Sequence, residues 1–466
     1  MDRYKKLFSN TLIFAAGTFG SKLLTFLMTR FYQGRLTNAE YGISENIAVT
    51  ANFLIPIFTL CIVEAVMRFG LDNGYEKARV FTNGIITTLS GMTVLALLFP
   101  LVNLIRFFDG YAFVLFAYVY TSSIKTLCSQ FVRARGLVKL YAFDGILTTL
   151  TMVLFNILLL GVFRFGVYGF ILSTVLSDAF SIVFLSIAAN LPKYLRPELF
   201  DRPLLRSMLK YSAPLIPTTI LWLVISMSDR FFITAMLGVE QNSYYVAANK
   251  IPLIVSTVSA FFTQAWHMSA ITENSAKDYE KFFGKVFSAY QSLMYIATAG
   301  MILFIKPVML VMFDPKYESS YKYIPALLLG IMFMCLGSYL SSVYAVTKRS
   351  LNSLATSFAA AAANIILNFV LIPKMGIQGA AIATLASYAL CFFIRVFDTR
   401  RYVKFKVNYL KIFINCILLG GITYLAAIQP KLMYLWISLI FAVILVLNFS
   451  AIIKTVKKLL PNFKKA

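Results

Sequence analysis

The sequence predicts an all-α polytopic membrane protein of about fourteen transmembrane helices, grouped as two six-helix units with two further helices at the C-terminus. Three observations carry this. Of 466 residues, 59% are hydrophobic and only 13% charged, with a mean hydropathy of +0.78, against about 45–50% apolar and about 25% charged in a soluble domain. Apolar stretches near the ~20 residues that cross a bilayer succeed one another with short polar connections. Finally, two short patterns recur about 200 residues apart in the chain.

The first span, 9–31, follows MDRYKK and superficially resembles a signal peptide. Lys22 interrupts its apolar run and no small-x-small cleavage site follows, so it reads as a retained helix. The second, 42–67, follows a polar turn with Arg35 and Glu40 and has Glu64 and Arg68 at its far end. Spans 81–104, 111–132, 141–163 and 167–189 complete a first unit, 1–195. The longest connection, 190–208, marks the boundary. A second unit, 196–406, holds spans 209–229, 243–266, 282–305, 322–346, 351–373 and 377–398. Residues 407–466 add spans 409–428 and 432–453 and a basic tail. No segment is long enough to house a soluble catalytic domain.

The repeat is read from two matches. Thr29-Arg30-Phe31 pairs with Asp229-Arg230-Phe231 at a shift of 200, each followed by a leucine (Leu36, Leu237) and a turn with Glu40 or Glu240. Gly166-Val-Tyr-Gly169 opens the sixth span as Gly376-Ile-Gln-Gly379 opens the twelfth, at a shift of 210, and Thr174 and Ser177 match Thr384 and Ser387. Repeated halves with a site at their interface are a recurrent transporter plan.

The net charge of +24 comes from 43 Lys and Arg against 19 Asp and Glu. In a soluble chain it would suggest nucleic acid. Here the basic residues lie between apolar spans, where the positive-inside rule accounts for them. The richest segments, 193–210, 395–411 and the tail after Ala451, fall on one side of an even-numbered topology, which predicts cytoplasmic N- and C-termini. The five cysteines lie in apolar spans without paired or metal-ligand spacing and read as buried hydrophobes. One histidine, His267, excludes His-based metal clusters, and no phosphate loop, HExxH, GxSxG or CxxC occurs. No metal and no cofactor is implied. The chain moves something without reacting with it.

Chemistry therefore rests on charges within the membrane. An ionisable group at bilayer depth costs at least ~2.5–3.5 kcal/mol, so it faces protein or a water-filled cavity. Lys22 lies mid-span with Thr25 and Thr29 near its face, which points to a cationic cavity. Glu64 and Arg68, spaced i,i+4, can pair with each other. Asp229-Arg230 closes the seventh span, and Lys250 opens the eighth, followed by Gln264, Trp266 and His267. Asp178 sits in the sixth span; Lys125 and Asp144 lie near span ends. Arg30, Arg35, Lys125 and Lys250 can equally snorkel to the interface. Cations at cavity depth suit phosphate or diphosphate.

The stretch GTFGSKLLTFLMTRFYQGRLTNAEYG, followed by LIPIFTLCIVEAVMRF, resembles the start of bacterial polysaccharide transporters, the O-antigen and capsule repeat-unit flippases of the multidrug/oligosaccharidyl-lipid/polysaccharide exporter superfamily. The resemblance implies two six-helix lobes around a central cationic cavity that alternates between membrane faces. It implies, as cargo, an oligosaccharide on polyprenyl diphosphate, carried from the cytoplasmic to the outer leaflet of the bacterial inner membrane for exopolysaccharide assembly. Basic residues that the family carries in its first, second, seventh and eighth helices are matched by Lys22, Arg30, Arg68, Arg230 and Lys250. On this reading Gln264 and Trp266 contact sugar, and Glu64 or Asp178 couples an ion. The implied partners are the lipid-linked oligosaccharide, membrane lipid, and neighbouring polymerases or glycosyltransferases. The protein reads as a monomer that binds no nucleic acid. Two competing functions are a cation-coupled multidrug exporter and a membrane polymerase of lipid-linked sugars.

Overall fold

A computed structural model describes residues 35–459 except 73, 104–109 and 313–314; before residue 35 it describes only 3, 7–13, 15, 24, 28 and 31–32. In chain order the labelled helices are α1 (Asn38–Phe58), α2 (Ile62–Leu71), α3 (Lys77–Asn103), α4 (Ala112–Ala134), α5 (Val138–Asn156) and α6 (Gly166–Ala188). A short α7 (Arg202–Ser212) leads to α8 (Leu215–Leu237), α9 (Val239–Thr272), α10 (Tyr279–Leu303), α11 (Ile305–Met312), α12 (Ile324–Thr347), α13 (Ser350–Met375), α14 (Ile377–Thr399), α15 (Tyr409–Ile428) and α16 (Met433–Leu459). The described residues include no strand. A bilayer offers no water to peptide groups, so helices satisfy them internally.

Eleven of the described helices are long and apolar enough to cross a membrane, and α1 with α2 adds a twelfth as one broken span. Met433–Phe449 is a shorter apolar helix, and the predicted first span lies mostly outside the described residues. The count agrees with about fourteen spans. The chain divides into two compact units, Ser9–Thr219 and Ile220–Ala466, the latter with Met1–Phe8.

The predicted span 42–67 is not one straight helix. α1 starts on a capping box, with the Glu40 amide donating to Thr37 Oγ1 at 3.2 Å and the Thr37 amide to Glu40 Oε2 at 2.9 Å. It stops after Pro56, and Leu60 and Cys61 take left-handed φ of 52° and 49°. The two halves meet at a 58° bend. Gly91 of α3 lies against this break, where an added Cβ would stand 1.7 Å from the Phe58 carbonyl oxygen. Only a residue without a side chain lets the two backbones approach so closely.

In the first unit α2, α3 and α4 bury Val66, Phe69, Phe81, Leu127 and Phe131, and α7 lays Leu204, Met208 and Tyr211 onto the same core. The connector before α7 is clamped to α3: Thr82 Oγ1 donates to the Tyr194 carbonyl at 3.1 Å, and Asn83 exchanges hydrogen bonds with the Asp201 backbone. In the second unit α12 is the central helix. It packs on α9, α10 and α14, with Trp266, Phe283, Phe287, Tyr290 and Tyr339 in one aromatic block. Arg3 binds this unit through Asp278 and lies 5.1 Å from the Phe282 ring.

The glycine repeat has a structural cause. Gly166, the first residue of α6, and Gly376, immediately before α14, hold left-handed φ of 55° and 60°. Three residues later a Cβ on Gly169 would touch Leu160 at 3.1 Å, and one on Gly379 would stand 2.4 Å from the Leu371 carbonyl oxygen. Both units turn tightly and pack the next helix on the backbone just left behind.

Gly91→Ala is expected to push α3 off the break at a cost of at least about 1–3 kcal/mol, seen as a lower melting temperature in detergent. Asp201 is held below the usual carboxylate range by the Leu204 amide and Arg79, and Asp278 by Arg3. A carboxylate lowered in the folded state stabilises above its unfolded pKa of about 3.9 and loses that contribution as pH falls through the folded value. The melting-temperature gap between wild type and D201N/D278N is therefore expected near pH 7 and should close below about pH 4.

Candidate functional site

The strongest polar feature of the second unit surrounds Asp229, at the middle of α8 and only 3% exposed. The helix runs to Leu237, eight residues past the predicted end of its span, so Asp229 lies inside it and not at its close. Four neutral donors reach the carboxylate. Tyr245 and Thr384 hydroxyls donate to Oδ2, each at 2.5 Å; Asn368 and Asn364 amides donate to Oδ1 at 2.6 and 3.1 Å. Ser228 orients Asn364 through a 2.6 Å bond to its Oδ1. Asn368 Oδ1, buried beside the carboxylate, has no hydrogen-bond partner. No ion pair reaches Asp229 among the described residues.

The arrangement joins α8, α9, α13 and α14, each supplying one or two groups. Carboxylate, amide and hydroxyl oxygens converging without a cation form a niche for a proton or a monovalent cation, since the amides and hydroxyls can turn acceptors inward. A site of several carboxylates is not present: no group of three or more His, Cys, Asp or Glu suited to a metal occurs among the described residues. The repeat makes the niche specific to this unit. At the shift of 210 that pairs Gly376 with Gly166, Asn364 and Asn368 correspond to Leu154 and Leu158, both exposed apolar residues. The fold does not require these polar groups.

The first unit has its own polar cluster. Ser122 donates to buried Asp178, Ser181 Oγ donates to buried Asp144 at 2.5 Å, and Lys125 of α4 lies close enough to act on both carboxylates. Glu64 is different. Every other residue of α2 is buried, while Glu64 alone is exposed, with Arg133 of α4 acting on it electrostatically. Buried Arg68 forms an ion pair with Asp72, at 3.4 Å.

Other predicted site residues are dispersed. Lys22 and Arg30 lie outside the described residues. Arg230 and Lys250 are exposed on α8 and α9, and Gln264 is half-buried. Trp266 is fully buried. Its indole N–H donates to Ser342 at 2.9 Å and its ring stacks on Tyr339 at 4.5 Å, which leaves no open face for a sugar. Sequence reasoning noticed Asp229 but missed its partners, because Tyr245, Asn364, Asn368 and Thr384 are up to 155 residues away. It also missed Arg395, buried in α14 and donating to Thr356, Ser357 and the Gly337 carbonyl.

Two units of apolar helices, each with a buried polar cluster, define a multi-pass membrane protein. The chain belongs to the polysaccharide biosynthesis protein family, whose model matches residues 7–267. It is 23% identical over 405 residues to an uncharacterized membrane protein of Methanocaldococcus jannaschii, covering 84% of this chain and 74% of that protein. Its fold resembles a mutant of the Vibrio cholerae MATE transporter VcmN, with TM-score 0.75 and 13% identity over 86% of this chain and 97% of that one. An outward-facing MATE family multidrug resistance transporter of the MOP superfamily matches with TM-score 0.76 and 13% identity, over 87% and 96%. Family and fold together make the chain a multi-pass membrane protein of the polysaccharide biosynthesis family with a MATE-like fold.

Thr384→Val leaves the Asp229 carboxylate one donor short and is expected to cost about 1–3 kcal/mol, read by thermal unfolding in detergent. Thr174→Val, at the repeat-related position, should change the melting temperature far less.

Proposed function

We propose that the protein is a flippase for an oligosaccharide linked to polyprenyl diphosphate. It would carry the lipid from the cytoplasmic to the outer leaflet of the bacterial inner membrane by alternating access, with both termini cytoplasmic and one chain as the working unit. Family membership supports a polysaccharide pathway. The observation that carries the mechanism is Asp229, a mid-helix carboxylate held by neutral donors alone. Occupied by a proton or a monovalent cation it becomes neutral, and empty it leaves a buried charge. The two states differ enough in cost to bias a two-state transporter. Asp229 thus joins Glu64 and Asp178 as a coupling carboxylate, and it fits best because no ion pair to a basic side chain reaches it among the described residues.

Lys22, Arg30, Arg230 and Lys250 would compensate the diphosphate as it leaves water, with Arg68 engaged by Asp72 as their support. Gln264 would meet sugar, and Trp266 would hold the helix behind it. The partners would be the lipid-linked oligosaccharide and the glycosyltransferases and polymerase that make and consume it. The MATE fold also accommodates a multidrug exporter. Exposed Arg230 and Lys250 favour an anionic cargo over an organic cation.

Proteoliposomes carrying a fluorescent oligosaccharide on polyprenyl diphosphate test this reading. Wild type should expose the lipid to an external quencher, K22A and R230A should slow this at least about tenfold, and D229N should remove its dependence on an imposed ion gradient. Wild-type rates in K22A and R230A together, with drug efflux retained, would shift the assignment to the multidrug exporter.

A further inference from the structure

α7 lies near the end of the first unit, and its two faces differ sharply. Leu204, Met208 and Tyr211 are buried in the core of the first unit, and Tyr211 packs against Phe69 with ring centroids 6.2 Å apart. Arg202, Arg206 and Lys210 are exposed on the other side. Steps of four residues keep them on one face, and at 1.5 Å per residue they span about 12 Å. They border an open surface groove of about 1100 Å³ whose described lining, Leu205 and Leu209 included, belongs wholly to α7 and holds no carboxylate.

Nearby acidic groups are held elsewhere. Asp201 caps α7 through the Leu204 amide at 2.9 Å and binds Arg79 at 3.1 Å. The position of α7 also matters, because Lys210 lies five residues before Leu215, where α8 begins its apolar run. The cations therefore precede the apolar run of α8 in the chain. A generic excess of basic residues on one membrane face would need neither a common helix face nor a shared groove.

We propose that the exposed face of α7 is a capture site for the diphosphate head group of a polyprenyl-diphosphate lipid, loading it from the membrane surface; the choice of lipid rests on the flippase reading above. Three cations on one helix face match a head group with more than one negative charge better than a phosphodiester such as phosphatidylglycerol, which carries one. Leu205 and Leu209 offer apolar contact to the first isoprene units. The clamp of the connector onto α3 keeps this site fixed to the first unit.

The test uses the full-length protein in nanodiscs of phosphatidylcholine doped with a polyprenyl diphosphate or with phosphatidylglycerol at equal total charge, with bound lipid counted by native mass spectrometry. The variant R202Q/R206Q/K210Q changes only exposed side chains, and an unchanged melting temperature verifies its fold. The control is K404Q/K406Q, which removes two exposed basic residues from the loop before α15. Diphosphate lipid bound in preference to phosphatidylglycerol, reduced about tenfold or more in the α7 variant and less than about twofold in the control, supports the site. Equal occupancy by phosphatidylglycerol, or an equal loss in the control, overturns it. Failure of the site and failure of the flippase reading are separable. Binding lost with flipping intact removes the site alone, whereas selective diphosphate binding in a protein that flips nothing leaves the site and removes the function.

Discussion

A bilayer supplies no hydrogen bonds, so every backbone departure from the helix in this protein has to be covered by neighbouring protein. The break after Pro56 illustrates the constraint. Two consecutive left-handed residues, Leu60 and Cys61, free the end of α1, and α3 brings Gly91 against the Phe58 carbonyl. The same rule explains the tight entries into α6 and α14, where glycines at positive φ are followed by glycines that meet the preceding helix. Close backbone packing substitutes for water throughout.

Against this shared framework the two units carry different polar interiors. The second holds a lone carboxylate among neutral donors; the first holds two carboxylates beside a lysine. At the shift of 210, Asp144, Asp178 and Lys125 correspond to Leu354, Tyr388 and Cys335. At this shift most members of each cluster have apolar counterparts in the other unit. Polar groups that cost desolvation and are not imposed by the architecture mark places where function has shaped the interior.

The charges divide in the same way. Buried Arg395 donates to hydroxyls and a carbonyl within the second unit and holds α12, α13 and α14 together. Arg202, Arg206 and Lys210 stand in the open on a helix whose other face is core. Identical residue types thus serve as internal braces or as accessible cations according to the face they occupy. Composition counts them alike.

The sequence by itself determined the membrane class, the approximate number of spans and the family. These follow from hydropathy and from short-range patterns such as Gly166–Gly169 and Gly376–Gly379, whose causes lie within a few residues. It also pointed to Asp178 and Asp229 as charges in apolar spans. Only the tertiary structure decided what those charges touch. Asp229 finds Tyr245, Asn364, Asn368 and Thr384 on three other helices, Arg68 pairs with Asp72, and Trp266 disappears into an aromatic block. A helix reports its own periodicity to the sequence reader, but its rotation about its axis relative to distant helices is set by packing, and that rotation decides which polar groups meet.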